Sequence, residues 1–307
     1  MKICVLSGGV GGARFVQGVV DATAPEDVTV VGNVGDDVEV LGLHVSPDLD
    51  SILYALARAN DEQRGWGRAG ETWRTLETVA SLSGESWFRL GDLDLGLHLV
   101  RTQALRAGEP LSRVTARLAA SFGVATALLP ATDDRLRTFI ATAAGELPFQ
   151  EWFVARGHRD EVDGLRFEGA ETAAPGPGVL DALAGADVVL LAPSNPYVSI
   201  APILAVAAIR DALAARRVPC VAVSPLIGGR AVKGPADRML ARLAGGTSPA
   251  HVAGCYEGLI DAIVVDEADA HDLDGLGRVR PIVARTLMSD ESARRRLAEA
   301  ALGAVPA

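Results

Sequence analysis

The segment KICVLSGGVGGARFVQGVVDATAPEDVTVV, residues 2–31, decides the fold. Its apolar run Lys2–Leu6 predicts a buried strand, the glycine-rich Ser7–Gly12 predicts a turn, and Ala13–Ala22 has the apolar spacing of a helix. A second strand is predicted over Val28–Val31. Strand, glycine turn, helix and strand together form a βαβ unit, which implies a parallel sheet with a right-handed crossover.

The second half of the chain repeats this alternation. Strands are predicted over Asp187–Ala192, Val218–Val223 and Ile260–Val265, and helices over Ile200–Ala215, around Ala236–Leu243 and over Ser289–Leu302. Residues 51–122 are mainly helical in pattern, whereas residues 156–178 are charged, then rich in Pro and Gly, and predict a surface excursion poor in strand. We therefore expect a single α/β domain over residues 1–307: a Rossmann-like, doubly wound, mostly parallel sheet with a helical insertion at about residues 51–122.

Composition and charge exclude several classes of protein. Of the 307 residues, 49% are hydrophobic, and the formal net charge of −10 argues against general binding to nucleic acid or anionic membranes. Cys4, Cys220 and Cys255 are far apart and form no Cys-x-x-Cys pair, so we expect neither a zinc site nor disulfides. The apolar run before Ser7 is too short for a signal peptide, and no stretch has the length of a membrane span. A cytoplasmic protein is therefore expected.

The glycine run SGGVGG, Ser7–Gly12, follows the first predicted strand and opens a helix. Glycines there let backbone N–H groups approach phosphate oxygens, and the start of a helix favours negative charge. The run lacks the Gly-Lys-Ser/Thr of a Walker A loop. A dinucleotide fingerprint begun at Gly9 and Gly11 would meet Arg14 at its third glycine position. A phosphate or nucleotide site is favoured over a nicotinamide site, and a glycine turn without a ligand stays as the simpler alternative.

Two further turns follow apolar strands: PSNP, Pro193–Pro196, and SPLIGG, Ser224–Gly229. The carboxyl ends of parallel strands share one edge of a sheet, so both turns should lie beside SGGVGG. Each turn alone is ordinary, but the three together predict a nucleotide-diphosphate site. Its expected contacts are Gly9, Gly11, Gly12, Ser194, Asn195, Ser224 and Gly228.

The stretch VVGNVGDDVEVLGLHVSPDLD, residues 30–50, holds five carboxylates and no Lys or Arg. A solvated loop carries such acids without cost, Asp36 could hydrogen-bond a ribose, and Asp48 or Asp50 could cap the following helix. A divalent cation is the other interpretation, because Mg²⁺ commonly takes one or two protein carboxylates and completes its shell with water and substrate phosphate. Asp50 could alternatively accept the proton of an attacking hydroxyl group.

The later stretch LGDLDLGLHLVRT, residues 90–102, is an acidic turn that leads into a helix. Asp92 and Asp94 are candidates to cap it, and His98 and Arg101 fall on one helical face. A lone His on such a helix is more often packed or solvated than catalytic. The tryptophans that flank this stretch are Trp66, Trp73 and Trp87. Most of them are expected in the core, with the alternative that one or two form a flat slot for an aromatic ring.

The chain resembles the 2-phospho-L-lactate transferase family of coenzyme F-420 biosynthesis in an ordered set of motifs: SGGVGGARF, GNVGDD, HVSPDLDS, RGWG, RLGDLDLGLHLVRT, PSNP and SPLIGG. The set covers nearly the whole chain and is far more specific than any one motif. The resemblance implies a metal-dependent reaction in which the ribityl hydroxyl of the deazaflavin Fo attacks a guanosine diphosphate derivative at the phosphorus that bears a three-carbon acid, and GMP leaves. The donor is lactyl- or, in the bacterial branch, enolpyruvyl-diphospho-5′-guanosine, and the product is coenzyme F-420-0 or its dehydro form.

By motif position, the resemblance implies that Asp50 and Arg89 contact Fo. It also implies a metal, for which we expect Mg²⁺ with Asp36 and Asp50 as ligands and catalytic residues. Asp50 is further expected near the Fo hydroxyl. Asp37 and Asp48 are expected to support the metal ligands or to cap a helix. The helical insertion and its tryptophans should cover the deazaflavin. The motifs MKI-V-GGVGGARF and RGWG favour the enolpyruvyl donor, and a homodimer is expected from how often cytoplasmic enzymes dimerise.

Two rival functions are open on the sequence. A sister group of nucleotide-sugar-binding regulatory proteins in the same superfamily resembles the chain in its glycine loop, and this alternative predicts no GMP release. A nicotinamide-dependent oxidoreductase predicts NADH binding without GDP binding. The SPDLD and RLGD motifs favour the transferase over both.

Overall fold

The predicted N-terminal βαβ unit is present in the computed structural model, which describes residues 1–84 and 86–304. The strands are, in chain order, β1 Ile3–Ser7, β2 Val28–Gly32, β3 Val38–Val40, β4 Leu43–Val45, β5 Ala127–Pro130, β6 Arg137–Thr142, β7 Gly145–Pro148, β8 Gly164–Glu168, β9 Val188–Leu191, β10 Cys220–Val223, β11 Leu226–Ile227, β12 Arg230–Ala231, β13 Ala262–Asp266 and β14 Arg280–Ala284. The α-helices are α1 Gly9–Ala22, α2 Pro47–Leu56, α3 Arg74–Ser83, α4 Asp92–Arg106, α5 Leu111–Ser121, α6 Val179–Gly185, α7 Ala201–Ala205, α8 Ala207–Ala215, α9 Ala236–Leu243, α10 Pro249–Gly254 and α11 Glu291–Leu302. Short 3₁₀-helices lie at Pro25–Asp27 and Glu267–Asp269, and π-helices at Glu151–Ala155 and Pro196–Ile200.

Seven of the described strands form the central sheet, in the order β14-β13-β10-β9-β1-β2-β5. Every neighbouring pair in it is parallel, so the predicted Rossmann-like, doubly wound α/β class is confirmed. The chain winds outward from β1 through β2 to β5, then returns to β9 on the other side of β1. β1 and β9 therefore flank the topological switch point, and the crevice beyond their carboxyl ends is where such sheets bind ligands.

Helix α1 begins at Gly9, earlier than the predicted start at Ala13. Most of the glycine run is therefore the first turn of the helix and not a separate turn. The reason is close packing, because a Cβ on Gly12 would lie 2.5 Å from the hydroxyl oxygens of both Ser7 and Ser194. The glycines let the start of α1 approach the ends of β1 and β9.

Two other secondary-structure predictions are wrong. The helix predicted over Ile200–Ala215 is divided into a π-helix, α7 and α8, because the extended backbone of Val206 (ψ 101°) ends α7. The segment 156–178, predicted poor in strand, contains β8, which pairs with β6 in an antiparallel sheet. Across the described residues, no single helix is long and apolar enough to cross a membrane. The helices Pro196–Ala205 and Ala207–Ala215 have the length and apolar composition of a membrane span only when they are counted together, and they are bent by 91°.

The segment predicted as a helical insertion holds α2 to α5 and leads from the β3–β4 hairpin to β5. Within it, α3 and α4 exchange caps. The Asp92 carboxylate accepts from two backbone N–H groups in the first turn of α3, at 3.2 and 3.1 Å, and Glu71 accepts from two in the first turn of α4, at 2.8 and 2.9 Å. The prediction that Asp92 and Asp94 cap their own helix is therefore wrong, because each helix start is fixed by an acid from beside the other helix.

Candidate functional site

The glycine loop and the PSNP turn are joined at the switch point. The backbone N–H of Gly8 donates to Ser194 Oγ at 3.3 Å, and the Ser194 hydroxyl donates to the Gly8 carbonyl oxygen at 2.7 Å. The first N–H groups of α1 lack partners within the helix and face the edge of the sheet. This confirms that SGGVGG and PSNP share one edge, and it places an anion-favouring helix start beside Ser194.

Asp36 and Asp48 form a buried acid pair at the end of β2, next to this helix start. The Asn33 amide donates to Asp48 Oδ2 at 2.9 Å and to Asp36 Oδ1 at 3.4 Å. The Gln150 amide donates to the Asp36 backbone oxygen at 3.0 Å and to its carboxylate at 3.4 Å. A Cβ on Gly8 would overlap Asp48 Oδ2, so the glycine loop and the acid pair are in direct contact.

Burial raises the pKa of both acids. The pKa of Asp36 is raised well above its usual value by burial first, and then by the neighbouring charges of Asp48 and Asp37. Burial raises the pKa of Asp48 to about 6, although hydrogen bonds from Asn33 and from the Gly9 backbone N–H oppose the shift. Two buried carboxylates that cannot both ionise easily require a proton or a cation between them.

Asp37 supports the β3–β4 hairpin on the other side of this pair. Its Oδ2 accepts from the Ser46 hydroxyl at 2.9 Å and lies 2.8 Å from His44 Nε2. Its Oδ1 is buried and has no hydrogen-bond partner in the described structure. These contacts agree with the supporting role expected for Asp37.

Asp50 lies against α4, where it is paired with Arg101. Arg101 Nη1 donates to Asp50 Oδ2 at 3.0 Å, and Nη2 donates to Oδ1 in a second, shorter bond. Both side chains are buried. Residues 30–50 hold no Lys or Arg, but Asp50 has a countercharge all the same, because Arg101 lies 51 positions further along the chain and is folded onto it.

His98 and Tyr54 complete the surroundings of Asp50. His98 Nδ1 lies 3.2 Å from Arg101 Nη1, and burial lowers the pKa of His98 to about 4, so its imidazole is neutral near pH 7. The Tyr54 hydroxyl donates to Asp94 Oδ1 at 2.6 Å, and burial raises the pKa of Asp94 to about 6. His98 is thus a packed residue of the Arg101 site, as the simpler interpretation expected.

The other predicted nucleotide contacts are already hydrogen-bonded. Asn195 Oδ1 caps the π-helix by accepting from the Tyr197 N–H at 3.0 Å, and Ser224 Oγ accepts from the Leu226 N–H at 3.2 Å. The N–H of Gly228 donates to the carboxylate of Asp269 at 3.0 Å, as does the N–H of Gly229 at 2.8 Å. These residues lie on the expected edge of the sheet, but the Gly228 N–H would have to leave Asp269 to reach a phosphate.

Two tryptophans of the insertion, Trp66 and Trp73, lie against arginine side chains. The guanidinium of Arg89 lies 4.5 Å from the ring centre of Trp73, and that of Arg64 lies 5.0 Å from the ring centres of both Trp66 and Trp73. None of these tryptophans is buried, so the expectation that most are core residues is wrong; Trp152, under the β6–β8 sheet, is the core tryptophan. Trp66 also borders a shallow surface pocket between α1, α2 and residues 60–67.

The acid pair fits a magnesium ion better than the predicted set does. Among the described residues, no group of three or more His, Cys, Asp or Glu side chains is arranged to hold a metal. Mg²⁺ needs only one or two carboxylates when water and phosphate supply the other ligands. Asp36 and Asp48 are bridged by one amide and form no salt bridge within residues 1–84 and 86–304, whereas Asp50 would have to release Arg101 to join them.

Sequence reasoning missed the residues that hold these carboxylates. Asn33 had a weak signal, as the first polar residue after a buried strand. Arg101 was noted only for its proximity to His98. Gln150 had no local signal, because it reaches Asp36 across 114 positions of sequence.

Together, these features define a Rossmann-like α/β protein whose switch-point crevice joins a glycine-rich helix start to a buried acid pair. The chain belongs to the 2-phospho-L-lactate transferase CofD family, whose sequence model matches residues 3–295. It is 43% identical to the phosphoenolpyruvate transferase of Streptomyces griseus over 311 residues, with 98% of each chain covered. It is 40% identical to that of Mycolicibacterium smegmatis over 324 residues, again with 98% of each covered.

Solved structures agree with the fold. The crystal structure of a upf0052 family member from Bacillus halodurans matches with a TM-score of 0.66 at 17% identity, covering 98% of each chain. The predicted family is therefore confirmed, and the chain is an enzyme that transfers a substituted phosphate group in coenzyme F-420 biosynthesis. Neither rival function agrees with this membership.

Proposed function

We propose that the chain transfers a phosphoenolpyruvyl group from enolpyruvyl-diphospho-5′-guanosine to the ribityl hydroxyl of Fo, giving dehydro coenzyme F-420-0 and GMP. The names of its relatives in Streptomyces and Mycolicibacterium support the enolpyruvyl donor over the lactyl donor. The observation that carries the proposal is the acid pair at the start of α1, where a diphosphate and a cation would neutralise each other.

The donor diphosphate would bind at the start of α1. Gly9, Gly11 and Gly12 are its proposed contacts through their backbone, and the Gly9 N–H would have to leave the Asp48 carboxylate to reach a phosphate oxygen. The guanosine would extend over Ser194, Asn195, Ser224 and Gly228. Of these, Ser194 acts through the hydrogen bonds that hold the loop at Gly8.

Mg²⁺ is the cofactor of this proposal, and Asp36 would hold it. Asp48 replaces Asp50 as the second expected ligand, because Asp48 shares the Asn33 amide with Asp36 while Asp50 is paired with Arg101. The ion would neutralise charge on the transferred phosphate oxygens, which is the main requirement of phosphoryl transfer. Asn33 and Gln150 orient the two carboxylates before any substrate arrives.

Asp50 would act on Fo. Arg101 holds both Asp50 oxygens in a fixed plane, and each oxygen keeps a second lone pair that can accept from the ribityl hydroxyl. Arg89, which lies over Trp73, and the exposed face of Trp66 would contact the flat ring of Fo, and this is the proposed role of the helical insertion. We further propose that the enzyme acts in the cytoplasm, which agrees with its three free cysteines.

The direct test is to incubate the purified chain with Fo, Mg²⁺ and each guanosine donor in turn. We expect GMP release with the enolpyruvyl donor and a product of the mass of dehydro coenzyme F-420-0. Asp48→Asn should lose turnover together with the response to Mg²⁺, whereas Asp269→Asn should retain the Mg²⁺ response. Absence of GMP release with both donors would refute the proposed reaction.

A further inference from the structure

Arg14 projects from helix α1 at the position where a dinucleotide-binding fold has its third glycine. Its side chain is half-buried, and in the described part of the chain it has neither a hydrogen bond nor an ion pair. Together with Val10 and Ala13 of the same helix, it borders the shallow pocket that Trp66 also borders. An arginine without a partner at the edge of a pocket is suited to an anion that comes from outside the chain.

The two acids that line this pocket already have arginines of their own. Asp61 Oδ2 lies 2.6 Å from Arg64 Nη2, and Glu62 Oε1 lies 2.8 Å from Nη1 of the buried Arg294. Neither acid pairs with Arg14. The positive charge of Arg14 therefore stays available in the pocket, although the chain as a whole carries a net charge of −10.

Neutral hydrogen-bond donors line the pocket beside Arg14. The Ser51 hydroxyl and the Asn60 side-chain amide have no hydrogen-bond partner within the described residues. A guanidinium next to a hydroxyl and an amide suits a carboxylate, because Arg can donate to both of its oxygens and the other donors can reach the remaining lone pairs. The free space is about 20 Å³, which is room for a water-sized group and cannot enclose a three-ring deazaflavin.

The pocket lies between the proposed diphosphate site and the proposed Fo site. Arg14 is five positions (14 − 9) after Gly9, the first residue of α1, which is about 7.5 Å along the axis at about 1.5 Å per residue. Side chains on a helix lean toward its N-terminus, so Arg14 leans toward the diphosphate. On the other side, Ser51 directly follows Asp50, the residue proposed to act on the Fo hydroxyl. A group bonded to the phosphorus under attack must lie between these two sites.

A second cation reaches this pocket from the other half of the chain. Lys233, in the segment between β12 and α9, is exposed and forms no ion pair with any described residue. A Cβ on Gly65, which lines the pocket, would overlap the Lys233 ammonium nitrogen. Lys233 therefore adds positive potential at the pocket wall, but its exposure to solvent makes its contribution smaller than that of Arg14.

We propose that Arg14, with Ser51 and Asn60, binds the carboxylate of the three-carbon acid on the guanosine diphosphate donor. This assignment rests on the proposed function, because it is the donor's acid that brings a carboxylate to this place. It makes Arg14 a determinant of specificity. A donor analogue whose carboxylate is neutralised leaves the guanidinium without a partner and binds more weakly.

Equilibrium binding in the presence of Mg²⁺ and without Fo tests the assignment. The enolpyruvyl donor and its carboxylate methyl ester differ only at the acid, and we expect the unmodified chain to bind the free acid at least about tenfold more tightly. Arg14→Met should bind acid and ester equally, with its affinity for GDP unchanged, and Arg14→Lys should regain part of the preference. Arg113→Met, which removes an exposed arginine of α5, should keep the whole preference. A preference that survives in Arg14→Met, or an unmodified chain that binds acid and ester equally, overturns the proposal.

Steady-state kinetics separate the donor from Fo. Arg14→Met should raise KM for the donor at least about tenfold and leave KM for Fo unchanged. Its Tm should equal that of the unmodified chain, because Arg14 has no partner to lose within the described structure. A raised KM for Fo alone would place Arg14 against the deazaflavin and refute the carboxylate assignment. Absence of GMP release from the unmodified chain would instead refute the proposed reaction, and the preference for acid over ester is measured without any reaction.

Discussion

Replacement of Asp50 by Asn should reduce stability as well as turnover. The substitution leaves Arg101 charged and buried, with an Nε that already has no acceptor in the described structure and with a neutral His98 as its other neighbour. Removal of one partner from a buried ion pair typically costs about 3–5 kcal/mol. Because the Asn side chain keeps one oxygen for Arg101, we expect the lower end, about 3 kcal/mol.

The cost of that substitution is measured by thermal and urea unfolding of the full chain. At about 2 °C per kcal/mol for a protein of this size, Asp50→Asn should lower Tm by about 6 °C. Arg101→Met in the same background should recover part of the loss, since it removes the uncompensated charge, and the double-mutant cycle should give a coupling of at least about 2 kcal/mol. Turnover should fall at least about a hundredfold in Asp50→Asn. A change in Tm below 1 °C, or additive effects of the two substitutions, would refute this account of the pair.

Three further outcomes are expected from the acid pair, the glycine loop and the arginine stack. The raised pKa of Asp48, about 6, means that the folded protein holds more protons than the unfolded chain from about pH 4 to pH 6. Without metal, Asp48 therefore makes the free energy of unfolding fall as pH rises through that window. Mg²⁺ should accordingly raise Tm more at pH 7.5 than at pH 5. An equal rise in Tm at both pH values would contradict the metal assignment. Gly8→Ala should abolish the Mg²⁺ effect by displacing Asp48, while Gly185→Ala, with open space around its Cβ, should preserve it in the same thermal assay. Arg89→Met should raise KM for Fo about tenfold with little change in kcat, as expected for a lost stacking and charge contact; an unchanged KM would remove Arg89 from the Fo site.

Local patterns predicted the parts of the fold that depend on short-range sequence. The buried strands β1, β9 and β10 and the turns after them were predicted because apolar runs and glycines signal strand ends directly. The edge strands β5 and β14 were not predicted. β5 begins at the exposed Ala127 and ends at Pro130, and β14 contains Pro281 and is largely exposed, so neither has the fully buried apolar run of a central strand.

The sequence predicted which types of residue gather at the site, but not which hydrogen-bond or ion-pair partner each of them has. The sequence indicated that Asp36, Asp48 and Asp50 gather near the glycine loop, but it could not show which acid keeps a free charge. That depends on Arg101 and Gln150, which reach Asp50 and Asp36 from distant segments through tertiary packing. Spacing within one stretch carries no information on such contacts.

The exchanged caps of α3 and α4 have a consequence for motion. Leu76 is the side chain that α3 buries, so this helix is fastened by its first turn to Asp92 more than by apolar contact. Hydrogen bonds of this kind are replaced by water at a net cost of about 0.5–1.5 kcal/mol each. We therefore expect α3 to separate from α4 at a lower free-energy cost than α4 separates from α2, where the buried pair of Arg101 and Asp50 joins the two helices.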